Sequence, residues 1–181
     1  EPRLLSKLCR HVNFSTLPRR ATAGHGIELL SDSIEQLAVD SIVASPLAGG
    51  LVLLTFSVKR DPARYLHIIN CLAAYNCWAY DEGLVGGSVY DGRLNYEERN
   101  YFEGREMYQS APALYAHGRG DCADLVAARC AEPEVFYAGG QPRLDISHVR
   151  PDGGVVYHAT VTYPNGDTED PSAHLVVSRS Q

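Results

Sequence analysis

The chain has 181 residues, a formal net charge of -6 and a hydrophobic fraction of 45%, with a sequence pI near 5.6. A chain of this size and apolar content can bury a core as one domain, or as one domain with an N-terminal extension. The acidic balance argues against a nucleic-acid surface. No apolar segment approaches the roughly 20 residues of a membrane span, and no signal-peptide pattern is visible, so we expect a soluble protein without a membrane partner.

The five cysteines are odd in number and form no C-x-x-C pair. Cys71 and Cys77 fall on different sides of one predicted helix, and Cys122 and Cys130 lie about two turns, roughly 12 Å, apart along another. Neither pair can bridge, since a disulfide needs Cα atoms within about 7 Å, and only the pairing of Cys9 stays open. Free thiols favour a reducing compartment. The absence of metal-ligand spacing predicts no metal site, and nothing in the sequence calls for a cofactor.

The first part of the chain divides into an irregular arm and a small β-element. Residues 1–25 carry prolines and a short basic cluster and are interpreted as an arm or linker. Apolar runs at 41–44 and 51–58 predict the β-element. We therefore predict an N-terminal part over 1–58 and a main domain over 59–181.

A long helix opens the main domain. Asp61 is a suitable N-cap, Pro62 suits the first helical position, and apolar residues recur at helical spacing until Gly83. Residues 84–104 are rich in Gly, Tyr and Asn and are predicted to form a long surface loop, which is often functional. A short helix around 106–115 follows.

The run from Gly118 to Leu125 places a cysteine on the first turn of a helix. Asp121 is a good N-cap, and apolar residues continue at helical spacing until Pro133 stops the helix. The helix dipole lowers the pKa of the Cys122 thiol and favours the nucleophilic thiolate. The Asp121 carboxylate opposes this effect.

After the cysteine helix the apolar pattern changes from helical to alternating, which predicts strands. The turns Asp152-Gly153 and Asn165-Gly166 are strong hairpin signals. Helices followed by an antiparallel sheet make the fold class α+β. The predicted strands are Val135–Tyr137, Leu144–Val149, Val155–Tyr163 and Leu175–Val177.

Three residues form a candidate triad. A cysteine nucleophile needs a base and a third polar group that holds the base in the right tautomer. His158 lies in a predicted strand, and Asp170 follows the turn at Asn165-Gly166, so the returning segment brings Asp170 beside His158. Cys122, His158 and Asp170 then have the roles of nucleophile, base and orienting carboxylate. The oxyanion needs the backbone N–H of Cys122 and a second donor, for which Tyr115 and Trp78 are candidates.

The motifs Gly120-Asp121-Cys122-Ala123-Asp124-Leu125, Tyr157-His158, Asn165-Gly166-Asp167 and Glu169-Asp170-Pro171-Ser172 resemble those of transglutaminase-like cysteine proteins of tailed bacteriophages and prophages. The resemblance covers roughly residues 60–176. It implies a papain-like, transglutaminase-type fold with the same three residues as triad. Ala123 departs from the acidic residue expected in this phage group, and residues 1–58 match nothing in it.

His148 is the alternative base. In peptidoglycan peptidases of the NlpC type a similar His-Val follows an Asp-Cys helix, and under that reading His158 becomes the orienting group. We prefer His158 because Asp170 completes its triad, and because an interval of 36 residues from Cys122 suits the transglutaminase-like order.

The expected function is a phage-type cysteine hydrolase or acyltransferase acting on a protein or on peptidoglycan peptide, located in a virion or in the host cytoplasm. The first alternative is a structural head or tail component that keeps the fold and contacts other virion proteins without needing turnover. A toxin or deamidase using the same triad is a weaker alternative.

Overall fold

The computed structural model describes residues between 42 and 178, with several gaps. Its compact units are Glu1–His67 and Ile68–Gln181. The predicted arm, Cys9, Asp61 and the predicted boundary at residue 58 lie outside the described residues. The described residues are 42–46, 52–56, 62–98, 101–102, 105–106, 108–151 and 153–178.

Helices and short strands alternate before the main sheet. In chain order the elements are β1 (Ile42–Pro46), β2 (Val52–Phe56), α1 (Pro62–Asp81), β3 (Asn95–Tyr96), β4 (Tyr101–Phe102), β5 (Arg105–Glu106), α2 (Ala111–His117), β6 (Arg119–Gly120), α3 (Cys122–Arg129), α4 (Pro133–Tyr137), β7 (Gln141–Val149), β8 (Val155–Thr162), β9 (Thr168–Glu169) and α5 (Pro171–Ser178).

The two apolar runs of the first unit form an antiparallel hairpin, in which Ile42 of β1 is opposite Phe56 of β2. This confirms the predicted β-element. The long helix is also confirmed, because α1 begins at Pro62 and Gly83 follows its end with a φ of 69°. That left-handed conformation favours glycine.

Antiparallel pairing joins β7, β8 and β9 into one sheet in that order. The β7–β8 connection contains Gly153 and the β8–β9 connection contains Gly166, both with positive φ, so the predicted hairpin turns are confirmed. The β7–β8 register shifts between Ile146 and His148. Together with the helices, this sheet confirms the α+β class.

Helix α3 packs on β8. Val126 and Ala127 of the helix meet Ala159 and Val161 of the strand in one core, against which Cys122 is packed. Small side chains on both elements allow the helix to approach the sheet closely. The first turn of the helix therefore lies directly against the strand that carries His158.

A second core lies beside the first and anchors the segment that follows α1. Val85, Val89 and Leu94 are buried in this segment and pack with Leu114 of α2. The segment also contributes β3, which pairs in parallel with β6. The other described residues of 84–98 are exposed or half-buried, so the segment lies on the surface, as predicted, and these three apolar side chains anchor it.

Three other boundaries differ from the sequence predictions. The short helix predicted around residues 106–115 is Ala111–His117. Residues 135–137, predicted as a strand, belong to α4, because Pro133 occupies the first position of a new helix. The cysteine helix itself ends earlier, at Arg129.

Residues 175–177, also predicted as a strand, belong to α5. Pro171 begins this helix, and Asp170 accepts hydrogen bonds from the N–H groups of Ser172 and Ala173. A short apolar run does not distinguish a strand from a buried helical turn. Within the described part of the chain, none of the helices combines the length and the apolar character that a bilayer span requires.

Candidate active site

Cys122 is the first residue of α3, where a reciprocal capping box fixes the start of the helix. Asp121 Oδ1 accepts hydrogen bonds from the backbone N–H of Ala123 at 2.9 Å and of Asp124 at 3.2 Å. In return, the Asp124 carboxylate accepts the N–H of Asp121 at 3.3 Å. Such a cap stabilises a helix by about 1 kcal/mol, so it favours the helical conformation of the turn that carries the thiol.

Asp124 is fully buried and anchors the segment that precedes the helix. Its Oδ1 accepts the backbone N–H of Gln109 at 2.7 Å, and its Oδ2 accepts the Gln109 side-chain amide at 3.0 Å. Gly120 passes so close that a Cβ there would lie 2.9 Å from the Asp124 Cβ and 2.5 Å from a methyl of Leu114. The glycine of the Gly-Asp-Cys motif is therefore required by packing.

The Cys122 thiol is partly buried against β8 and accepts hydrogen bonds from the backbone N–H groups of Ala159 and Ala123. Burial, and next the negative charge of Asp121, raise its pKa to about 11 in spite of these bonds. The sequence prediction of a lowered pKa is thus wrong for the resting site. Burial of the thiol and the negative charges of Asp121 and Asp124 raise the pKa by more than the two backbone N–H groups lower it.

His158 and Asp170 lie together, as the hairpin predicts. His158 Nε2 is 2.8 Å from Asp170 Oδ2, with both side chains about one-third exposed. Asp170 directly follows β9, whose Glu169 is opposite Val161 of β8. Since this bond uses Nε2, the other ring nitrogen, Nδ1, is left to accept a proton.

The second oxygen of Asp170 caps α5. Asp170 Oδ1 accepts the Ser172 hydroxyl at 2.6 Å and the N–H groups of Ser172 and Ala173, each at 3.1 Å. Burial raises the pKa of Asp170, but the bonds from Ser172, Ala173 and His158 outweigh it, and the net pKa is below the usual value. The carboxylate is therefore ionised and fixed at neutral pH.

His148 lies on the exposed end of β7, where its Nδ1 is 3.4 Å from the Ser147 hydroxyl. It is opposite Val156 in the β7–β8 register, three residues before Ala159, whose N–H contacts the thiol. At about 3.3 Å per residue this is roughly 10 Å along the strand. His158 is adjacent to Ala159 in the chain.

Tyr115 and Trp78, the candidate oxyanion donors, have other surroundings. The Tyr115 hydroxyl is 3.4 Å from the Tyr80 hydroxyl, and the Trp78 ring packs 5.3 Å from Tyr75. Both side chains lie against the second core. Nothing described connects either of them to the thiol.

Tyr96 of β3 is a neighbour of the site that the sequence did not indicate. Burial raises the pKa of its phenol to about 12, and negative charges on Cys122, Glu98, Asp121 and Asp170 add to this effect. Its position depends on the parallel pairing of two-residue strands, which leaves no periodic signal in the sequence.

A polar cluster links Glu169, the residue before Asp170, to helix α3. The Arg129 Nε is 2.6 Å from a carboxylate oxygen of Glu169, and Tyr163 donates to the other oxygen at 2.5 Å. Tyr90 also donates to Glu169, and Arg129 pairs with the buried Glu132. The cluster holds the β9 end of the hairpin on the helix that bears the cysteine.

Comparison with protein-family models, with curated proteins and with solved structures finds no match to this chain. Among the residues that the structure describes, no group of three His, Cys, Asp or Glu side chains is placed to hold a metal ion. Cys71, Cys77, Cys122 and Cys130 are free thiols.

Proposed function

We propose that the chain is a transglutaminase-like cysteine enzyme that cleaves amide bonds or transfers acyl groups through Cys122, His158 and Asp170. One relation carries the proposal: the imidazole held by Asp170 precedes the residue whose N–H contacts the Cys122 thiol. The resemblance to phage proteins adds the class of reaction and supports a role in a virion, with a protein or peptidoglycan peptide as substrate.

The first chemical step transfers a proton and forms a thioester. Because the resting thiol is neutral at pH 7, His158 Nδ1 takes its proton as the sulfur attacks the carbonyl carbon. A C–S bond forms and the carbonyl π pair moves to oxygen. Collapse of this intermediate expels the leaving amine, which receives the proton from the imidazolium.

The second step releases the acyl group. His158 takes a proton from water or from an acceptor amine, whose oxygen or nitrogen attacks the thioester carbonyl. The C–S bond breaks, and the proton returns to sulfur. Water gives hydrolysis and an amine gives transfer. In both steps Asp170 keeps the Nε2–H tautomer, and so Nδ1 is the nitrogen that accepts the proton.

His158 is the better base of the two histidines on geometric grounds. Its ring nitrogen is already held by a carboxylate, whereas the nearest partner of the exposed His148 is a hydroxyl at 3.4 Å. The register also sets His148 farther along the sheet from the thiol contact. Proton transfer needs hydrogen-bond reach, which favours His158.

The test uses 4-nitrophenyl acetate, an activated ester that reports acylation without knowledge of the natural substrate. Wild-type protein should release nitrophenolate in a burst with acetyl on Cys122, located by peptide mass. Cys122→Ala should abolish the burst, and His158→Ala should slow acylation by 10²-fold or more, in line with general-base catalysis. His148→Ala is the matched control and should leave the rate unchanged; the reverse order for the two histidines would refute the assignment.

A second candidate is a structural virion component that retains the fold without turnover. The raised pKa of the partly buried Cys122 thiol favours it, because inert structural cysteines have the same character. This candidate predicts that Cys122 acylates no faster than Cys71, a buried thiol on α1. Mass analysis of the same reaction distinguishes the two functions.

A further inference from the structure

The backbone beside Cys122 offers one N–H group that the helix cap does not use. Asp121 takes the N–H groups of Ala123 and Asp124. In the described part of the chain, no residue accepts a hydrogen bond from the N–H of Cys122 itself. As one of the first N–H groups of α3 it has no acceptor within the helix, so it is available to the carbonyl oxygen that gains negative charge when the Cys122 sulfur attacks.

Tyr96 brings a second donor to the same place. It is opposite Gly120 in the β3–β6 register, and the N–H of the next residue, Glu97, donates to the Gly120 carbonyl at 2.9 Å. Strand β3 also packs against α5, the helix that Asp170 caps. Tyr96 therefore stands between the segment entering Cys122 and the segment leaving Asp170.

The surroundings of the phenol agree with this placement. Cys122, Asp121 and Asp170 are all close enough for their negative charges to act on Tyr96. These charges disfavour the phenolate, so the hydroxyl keeps its proton at neutral pH and can donate it in a hydrogen bond. Among the described residues, none accepts a hydrogen bond from this hydroxyl.

We propose that the Tyr96 hydroxyl and the Cys122 N–H together form the oxyanion hole of the proposed enzyme. The proposal rests on the proposed function. As the C–S bond forms and the carbonyl π pair moves to oxygen, both groups donate hydrogen bonds to that oxygen, and neither gives up its proton. The phenol replaces Tyr115 and Trp78 as the second donor.

The test compares two reactions of the same thiol. Acylation by 4-nitrophenyl acetate passes through an oxyanion, whereas alkylation by iodoacetamide is a direct displacement of iodide and has none. Tyr96→Phe should lower the acylation rate of Cys122 about 100-fold, as expected for the loss of one oxyanion donor, and should leave its alkylation rate within about twofold. Tyr75→Phe, at a half-buried tyrosine against the same core, is the matched control and should change neither rate.

The outcomes distinguish failure of the oxyanion-hole proposal from failure of the proposed function. Loss of acylation alone supports the oxyanion role, whereas equal loss of both reactions assigns Tyr96 to positioning of the thiol and overturns it. No loss in either reaction also overturns it. If wild-type protein is alkylated but not acylated, the proposed function fails instead. Replacing Tyr96 by 3-fluorotyrosine, a stronger donor of nearly equal size, should raise the acylation rate; a decrease would count against the proposal even if Tyr96→Phe did not fold.

Discussion

Asp170 holds the His158 ring with one carboxylate oxygen and caps helix α5 with the other. Asp170 Oδ1 already accepts three hydrogen bonds at the start of α5. A rotation of the carboxylate that exchanged the two oxygens would break these bonds. The orientation of the imidazole is therefore coupled to the start of α5.

Replacing Asp170 by asparagine should reverse the tautomer of His158. The cap needs an acceptor for three donors, so the amide oxygen stays at the cap and the NH₂ group faces His158 Nε2. The ring then carries its proton on Nδ1 and cannot accept the thiol proton. We expect Asp170→Asn to lower the acylation rate by 10³- to 10⁴-fold, as in other triads, with a nearly unchanged melting temperature.

Asp145→Asn is the control for this substitution, because Asp145 is opposite His158 in the β7–β8 register but pairs with Arg143 at 2.8 Å. Its acylation rate should stay within about twofold of wild type. An Asp170→Asn protein as active as Asp145→Asn would remove Asp170 from the triad.

The sequence revealed those parts of the site that local patterns encode. The N-cap before Cys122 and the Asn165-Gly166 turn each follow from a few adjacent residues, and they were enough to anticipate the bond between His158 and Asp170. Tyr96 was missed because its position depends on pairing with Gly120, which lies 24 residues later. The raised pKa of Cys122 was missed because burial against β8 is a tertiary property.

Two short segments that the sequence predicts as strands are helical in the structure. Residues 135–137 and 175–177 have the apolar, β-branched composition of strands. Each belongs to a helix that begins at a proline, Pro133 or Pro171. The composition of the three apolar residues alone does not show that a helix begins a few residues earlier.

Arg129 should contribute strongly to stability. Its side chain is 10% exposed and pairs with Glu132, which is 3% exposed, and with Glu169. Arg129→Met leaves these carboxylates without a cation, so we expect the free energy of unfolding, measured by urea denaturation, to fall by about 3–5 kcal/mol.

Arg143→Met is the matched control, because the Arg143–Asp145 pair is about half exposed and screened by solvent. It should leave the urea midpoint unchanged. Similar midpoints for both variants would show that the cluster around Arg129 contributes no more than a surface pair.

A methyl group at Gly120 should displace the helix start. The added Cβ would meet Leu114 and the Asp124 side chain at distances shorter than van der Waals contact. We expect Gly120→Ala to destabilise the protein by about 1–3 kcal/mol, and Gly86→Ala, where the added Cβ meets nothing within 4 Å, to cost much less. Thermal melting of the two variants measures the difference.

Alkylation of Cys122 should depend on pH as expected for a neutral resting thiol. Its folded pKa, about 11, lies above the reference value of 9.0. The iodoacetamide rate should therefore rise about tenfold per pH unit from neutral pH towards 11. A plateau across neutral pH would instead indicate a preformed thiolate–imidazolium pair.

The same raised pKa has a consequence for stability. Above pH 9 the unfolded thiol loses its proton while the folded one keeps it, so stability should decrease between about pH 9 and about 11. Cys122→Ser removes this ionisation, and its melting temperature should fall less steeply over that interval. If the melting temperatures of the two proteins fell equally over this pH interval, the raised pKa of Cys122 would be contradicted.

The bond between His158 and Asp170 joins residues only 12 apart, whereas Cys122 comes from a separate helix that precedes the whole sheet. Local contacts close before distant ones because they restrict less of the chain. During synthesis His158 and Asp170 can therefore meet within their own hairpin, whereas Cys122 reaches them only when α3 packs on β8. If Cys122 is the nucleophile that we propose, it therefore meets its base only when the core between α3 and β8 has formed.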